Sequence, residues 1–108
     1  FISLERFIMN ILYIDDESLP KRWYDKQNSI HIATNYKDAI KYLQKYKFEV
    51  IDIRLDLKSI PDGCDIVRYI IQLQLDIPYI YIRSNNIERR NNMLKLLKRF
   101  TESNIQYY

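Results

Sequence analysis

The sequence predicts an α/β domain built on a parallel sheet in strand order 2-1-3-4, with helices on both faces. Three observations carry that prediction. Short apolar runs recur along the chain, and each gives way to a segment of helical periodicity or to a loop. The first run, Ile11-Leu12-Tyr13-Ile14, has no polar break, as in a central strand buried on both sides. No internal repeat or low-complexity linker interrupts the alternation, and strands alternating with helices imply right-handed crossovers.

In chain order, Met9-Asn10-Ile11 is a natural start. Residues 1–8 are therefore expected to be an extension or tag remnant outside a single domain spanning 9–108. After the first strand comes Ser18 to Trp23, where Pro20 is tolerated in a first helical turn or a loop, and any helix present is expected to be short and poorly patterned. Ser29-Ile30-His31-Ile32-Ala33 alternates, which suits an edge strand with Ile30 and Ile32 inward and His31 at the surface. Thr34 or Asn35 can cap the clearest helix. Its apolar face is Ala39, Ile40, Leu43 and Tyr46, with Lys37, Lys41 and Lys45 opposite. Phe48 to Leu57 reads as a strand, with Ile51, Ile53 and Leu55 on one face and Val50, Asp52 and Arg54 on the other.

A loop with Pro-Asp-Gly turn chemistry runs to Gly63. Helical spacing then returns from Cys64 to Leu75. Ile77 to Ile82 predicts the fourth strand, with Pro78 near its start. Asn86 to Phe100 predicts the last helix, buried through Met93, Leu94, Leu96, Leu97 and Phe100. Ile105–Tyr108 can add a short final strand.

Composition bounds the function classes. A chain of 108 residues supports one core, and 47% apolar with 29% charged residues is ordinary for a globular domain. The single cysteine, Cys64, excludes an internal disulfide and fits a reducing compartment, so a cytoplasmic location is expected. One His and one Cys cannot build a Cys/His zinc site. No apolar run reaches membrane-spanning length. The net charge of +3 permits an anionic partner without requiring one.

The candidate chemistry lies where strands end. Asp15, Asp16 and Glu17 follow the first strand directly, at the sheet rim where α/β domains bind ligands. The competing reading is a solvated loop. Strand 3 ends in Arg54 and Asp56, beside the first strand, and Ser84 and Asn86 follow strand 4. Clustered carboxylates need a cation or a proton. Mg²⁺ held weakly by Asp15 and Asp16 is one solution. The other is Arg54 paired bidentately with Asp15 or Asp16, an internal salt bridge in place of a metal. That second solution leads to the expectation of no cofactor.

Ile11-Leu12-Tyr13-Ile14-Asp15-Asp16-Glu17 resembles the opening of response-regulator receiver domains, a flavodoxin-like fold. The resemblance implies an acidic pair for Mg²⁺ and a phosphoacceptor Asp at the end of strand 3. Later motifs resemble a narrower relative, the cyclic-phosphate-processing receiver-like domain. Its Leu-Asp-His-Asp-Leu strand end corresponds to Ile53-Arg54-Leu55-Asp56-Leu57, and its Gly-x-Asp-Val helix start to Gly63-Cys64-Asp65-Ile66. Its His-Ser-x-Asn corresponds to Arg83-Ser84-Asn85-Asn86, followed by Asn92-Met93. The resemblance spans about Met9 to Phe100. Arg54 stands where the strand 3 Asp is expected, and Leu55 and Arg83 replace the two histidines. The chain is thereby short of its general acid and base near neutral pH, so no catalytic residue is assigned.

These residues imply a catalytically degenerate receiver-like domain that binds a terminal or cyclic phosphate of a nucleotide or RNA. The binding candidates are Arg54, Arg83, Ser84, Asn86, Arg90 and Asn92, with Asp15, Asp16 and Asp56 completing the pocket. In the competing reading Ser84 and Asn86 cap a helix and Arg83 is a solvated charge. A second function is a non-enzymatic interaction module with a protein partner or a second copy, and no membrane. A third is nucleic-acid binding by the basic last helix through Arg89, Arg90, Lys95, Lys98 and Arg99.

Overall fold

The computed structural model describes residues 9–20 and 29–107. Five parallel strands form one sheet: β1 (Asn10–Ile14), β2 (Ser29–Ala33), β3 (Val50–Arg54), β4 (Tyr79–Arg83) and β5 (Asn104–Tyr107). Their order is β2-β1-β3-β4-β5, which is the expected order with the final strand added at the edge beside β4. Three helices are described: α1 (Tyr36–Lys45), α2 (Gly63–Gln72) and α3 (Ile87–Phe100). The residue 1–8 extension lies outside the described residues, as does most of the helix expected from Ser18 to Trp23. Ser18 to Pro20 carry no regular structure.

β1 and β3 are buried on both faces, β1 as an unbroken apolar run requires and β3 with Asp52 enclosed among its apolar residues. Leu12, Ile14, Ile51, Ile53, Ile80 and Ile82 pack on the first face, against Ala39 of α1, Ile66, Val67 and Ile70 of α2, and Met93, Leu94 and Leu97 of α3. All three described helices therefore cover that face. The second face carries a smaller cluster of Ile11, Tyr13 and Val50, bordered by Met9, Ile30 and Tyr81.

The helices start where side chains accept their orphan N–H groups. Asn35 Oδ1 accepts from Asp38 N at 2.8 Å, and Asn86 Oδ1 accepts from Arg89 N at 3.0 Å. Asp62 caps α2 through a capping box with Asp65, a start that the turn-like loop had concealed. Gly63 is dictated by closeness: a Cβ there would sit 2.3 Å from the Arg54 carbonyl oxygen and 2.6 Å from Leu55 Cα. α2 ends at Gln72 with Leu73 as its cap, and Gln74 just beyond takes a left-handed φ of 51° without being glycine. Leu75 N there donates back to Ile70 O at 3.0 Å.

Two expectations change. β3 stops at Arg54 instead of Leu57, because the chain bends at Leu55, whose N–H donates to the Arg83 carbonyl at 2.8 Å and whose carbonyl accepts from Gly63 N at 3.2 Å. His31 is not a surface residue. Its ring packs against Tyr42, Tyr46 and Phe48 at centroid distances of 5.1, 4.8 and 5.5 Å. Ile32 is the exposed neighbour instead. The aromatic rings of α1 and the β3 approach select the His31 side of the strand.

Candidate functional site

The carboxyl ends of β1, β3 and β4 converge on one rim. Asp15 sits at its centre, only 2% exposed. Its Oδ1 accepts from Glu17 N at 2.7 Å and Ser18 N at 3.0 Å. Its Oδ2 accepts from Ser18 Oγ at 2.8 Å, Tyr13 Oη at 3.3 Å and Arg83 Nη1 at 2.5 Å. Burial works to raise the Asp15 carboxyl. The Arg83 bond, the two backbone N–H groups and the Ser18 hydroxyl overcome it and hold the group well below the usual carboxylate range.

The arginine that clasps Asp15 is therefore Arg83, not Arg54. Arg83 also donates from Nε to Asp52 Oδ1 at 2.6 Å and from Nη2 to the Ile14 carbonyl at 3.2 Å. Its guanidinium lies 4.7 Å from the Tyr13 ring centroid. Asp52, at 1% exposure, is inside the strand as its position two residues before Arg54 requires. Burial favours a neutral Arg83, but Asp52 and Asp15 raise its pKa and keep it charged. Arg83 is thus no solvated charge: one planar fork serves two buried acids, which an Arg54–Asp15 pair would not do.

Arg54 turns to the acids that follow Asp15. Its Nη2 meets Glu17 Oε1 at 2.9 Å, its Nε lies 3.9 Å from Asp16 Oδ1, and Nε donates to the Asp56 carbonyl at 3.3 Å. Asp16 Oδ2 accepts from Lys58 N at 2.8 Å, while its buried Oδ1 has no hydrogen bond. These oxygens surround a guanidinium. A divalent cation would need several of the same oxygens, and those of Asp15 already accept from protein donors. The residues present do not fit Mg²⁺ with Arg54 in this place. Among the described residues, no group of three or more His, Cys, Asp or Glu is arranged to hold a metal.

The second half of the rim is built on Asp56. Ser84 Oγ donates to it, lying 2.7 Å from Oδ2 and 2.9 Å from Oδ1. Asn85 N donates to Oδ2 at 3.0 Å, and Arg89 Nη1 to Oδ1 at 3.3 Å. Burial works against ionisation here too, but Ser84, Asn85 and Arg89 hold the carboxyl below its ordinary value. Asn86 caps α3, and its N–H donates to Ser84 Oγ at 3.0 Å. Asp56, Ser84 and Asn86 are thus brought together.

Arg90 and Asn92 lie elsewhere. Arg90 stacks over Tyr107 at 4.3 Å, on the β5 side of α3, with its Nε buried and without a hydrogen bond. Asn92 lines a cleft of about 460 Å³ between α2 and α3, with Asn86, Arg89, Met93, Asp65 and Arg68. The sequence reading missed Arg89 as a rim residue. Its Nη2 also meets Asp62 Oδ2 at 2.9 Å, so it joins the β3 exit, the α2 cap and α3. The available signal was its place in the first turn after the Asn86 cap, which directs it toward the strand ends.

Comparison with solved structures gives the same fold. A response regulator from Burkholderia pseudomallei, solved with a phosphorylated aspartic acid, calcium ion and citrate, superposes with a TM-score of 0.70 at 22% identity. The match covers 91% of this chain and 58% of that protein, so the chain spans under two thirds of its length. A Francisella response-regulator receiver domain superposes at 0.66 with 17% identity, covering 91% of this chain and 83% of that one. A CheY-like receiver domain from Methanospirillum hungatei gives 0.66 at 15% identity, covering 92% and 81%. No curated relative matches the chain. The sequence pattern of the cyclic-phosphate processing receiver domain matches residues 10–99. The chain belongs to the cyclic-phosphate processing receiver domain family.

Proposed function

We propose that this member of the family works by binding and not by turnover: a receiver domain whose metal and acceptor places are filled by its own arginines, serving as a non-enzymatic interaction module. The observation that carries the reading is Arg54 standing among Asp16, Glu17 and the Asp56 carbonyl while Arg83 bridges Asp15 and Asp52. Receiver chemistry requires a free acid at the end of β3 and a divalent cation beside it. Here the acid position is cationic. The only carboxylate near it on β3 is buried two residues back in an ion pair. The site residues are Asp15, Asp16, Arg54, Asp56, Arg83, Ser84 and Asn86, acting as a fixed scaffold.

The charge balance favours a protein partner over a phosphate. Asp62, Asp65 and Glu88 outnumber Arg68 and Arg89 along the α2–α3 cleft. At the rim Asp15, Asp16, Glu17, Asp52 and Asp56 outnumber Arg54, Lys58, Arg83 and Arg89. With its arginines already held by these acids, a surface of net negative charge repels phosphate and suits a polar or basic protein surface.

The test is Mg²⁺ titration followed by amide resonances, with acetyl phosphate as donor. The wild-type chain should show no saturable change at millimolar Mg²⁺ and no phosphorylated aspartate. Arg54→Asp should gain a saturable Mg²⁺ response. Saturable shifts at Asp15 and Asp16 in the wild-type chain would sink the reading.

A second reading keeps the family's ligand class. Asp56, Ser84 and Asn86 remain assembled at the start of α3, where free N–H groups favour anions. On that reading the domain holds a terminal or cyclic phosphate of a nucleotide or RNA without cleaving it. Titration with 2′,3′-cyclic nucleotides decides: no heat and no shifts at millimolar ligand would remove it.

A further inference from the structure

Far from the rim, α1 runs down to the opposite end of the sheet and presents a second surface. Lys37, Lys41 and Lys45 stand one turn apart along its exposed side, and Lys47 follows in the loop to β3. Among the described residues, Asp38 on the helix, Glu49 in the loop and Asp76 beside it oppose them; Asp38 is occupied with the Asn35 cap, and Glu49 Oε1 accepts from Asn10 N at 2.6 Å. Two adjoining hollows of about 390 and 440 Å³ flank the helix end and share Lys45 and Tyr46 in their walls.

Tyr46 is the notable member. It is 38% exposed, yet its ring is fixed. His31 packs on it at 4.8 Å, Phe48 at 6.2 Å and Tyr42 at 6.4 Å, while Lys45 Nζ lies 5.3 Å from the ring centroid. An exposed aromatic ring held rigid loses little freedom on binding. The surface therefore combines a row of cations with a pre-set aromatic ledge. That pairing matches a polyanion carrying flat, unstacked rings. An acidic peptide supplies the charge but not the rings, and a duplex supplies the charge with its rings already stacked.

We propose that the carboxyl-terminal half of α1 and the loop to β3 form a docking strip for single-stranded nucleic acid, with Lys41, Lys45 and Lys47 on phosphates and Tyr46 under a base. The strip uses none of the rim residues, so it stands or falls apart from the reading of the rim.

The experiment is fluorescence anisotropy of a labelled oligouridylate with the whole chain across a salt series. Binding should be salt-dependent. Lys45→Gln, an exposed change that leaves the core untouched, should lower the slope of log K against log salt by about 0.7. Tyr46→Ala should weaken binding about tenfold. Circular dichroism of each variant should match the wild-type chain. Three results would overturn the proposal: no binding at low salt, equal affinity for a duplex of the same length, or equal competition by polyglutamate. Binding that ignores Lys45→Gln and Tyr46→Ala but is lost on changing Lys95 and Lys98 would assign it to α3 instead, and would equally overturn it.

Discussion

Arg83 and Asp15, sixty-eight positions apart in sequence, form a buried ion pair across the strand that separates them. The guanidinium passes over β3, takes Asp52 on the way, and reaches the first strand's terminal acid. A cation is thereby built into the protein where clustered carboxylates demand one.

Replacing Arg83 tests how much rests on that pair. Arg83→Met leaves the buried Asp15 and Asp52 carboxylates without their shared guanidinium, a change that costs about 3–5 kcal/mol. Urea unfolding at neutral pH should show the loss in the midpoint with little change in slope. A loss below about 1 kcal/mol would mean that the acids find another partner.

Acid should unfold the domain by a definable route. The folded-state carboxyls of Asp15 and Asp56 both lie below their ordinary values. Their contribution to stability is fully present above the unfolded aspartate pKa, about 3.9, and is lost as pH falls from there toward the lowered folded values. Urea midpoints measured downward from pH 6 should hold level and then fall steeply below about pH 4. In Asp15→Asn the fall should be shallower, from a lower starting stability.

Gly63→Ala should disturb the rim from a position outside it. The added methyl meets backbone at Arg54 and Leu55, and backbone cannot swing aside as a side chain can. A loss of about 2–3 kcal/mol is expected. Amide shifts should spread to Arg54, Asp56 and Arg89. Shifts confined to α2 would show that the helix start moves alone.

Gln74→Gly should stabilise. Gln74 takes a left-handed backbone at the α2 end, a conformation that costs an ordinary residue roughly 1 kcal/mol and glycine almost nothing. Part of the gain is offset by the greater freedom of glycine in the unfolded chain. Thermal unfolding should rise by a few degrees.

The sequence made the sheet legible because its signals are local. Ile11 to Ile14 has no polar break, Asn35 and Asn86 precede helical periodicity, and the strand–helix alternation dictates the order of strands. Period-two patterning also placed Asp52 and Arg54 on one face of β3. What patterning cannot supply is reach. Arg54 and Arg83 are paired neighbours in the register, and nothing local says which one bends back to Asp15. The choice is made by the burial of Asp15 and Asp52 together, a tertiary fact. His31 was misread for a similar reason. On an edge strand with apolar residues on one side and aromatic neighbours available on the other, alternation does not say which side is inward. Asp62 hid as a helix cap because Pro61-Asp62-Gly63 has the chemistry of a turn.

Arg89 holds Asp56 with one nitrogen and Asp62 with another, from the first turn of α3. A single side chain thus acts as a latch across three segments that are distant in sequence. Anything that drew its guanidinium outward would strip Asp56 and the α2 cap Asp62 of their shared cation in one stroke, leaving Asp56 to Ser84 and Asn85. The two helix beginnings are in this sense not separate parts: each is tied to the other through one shared cation.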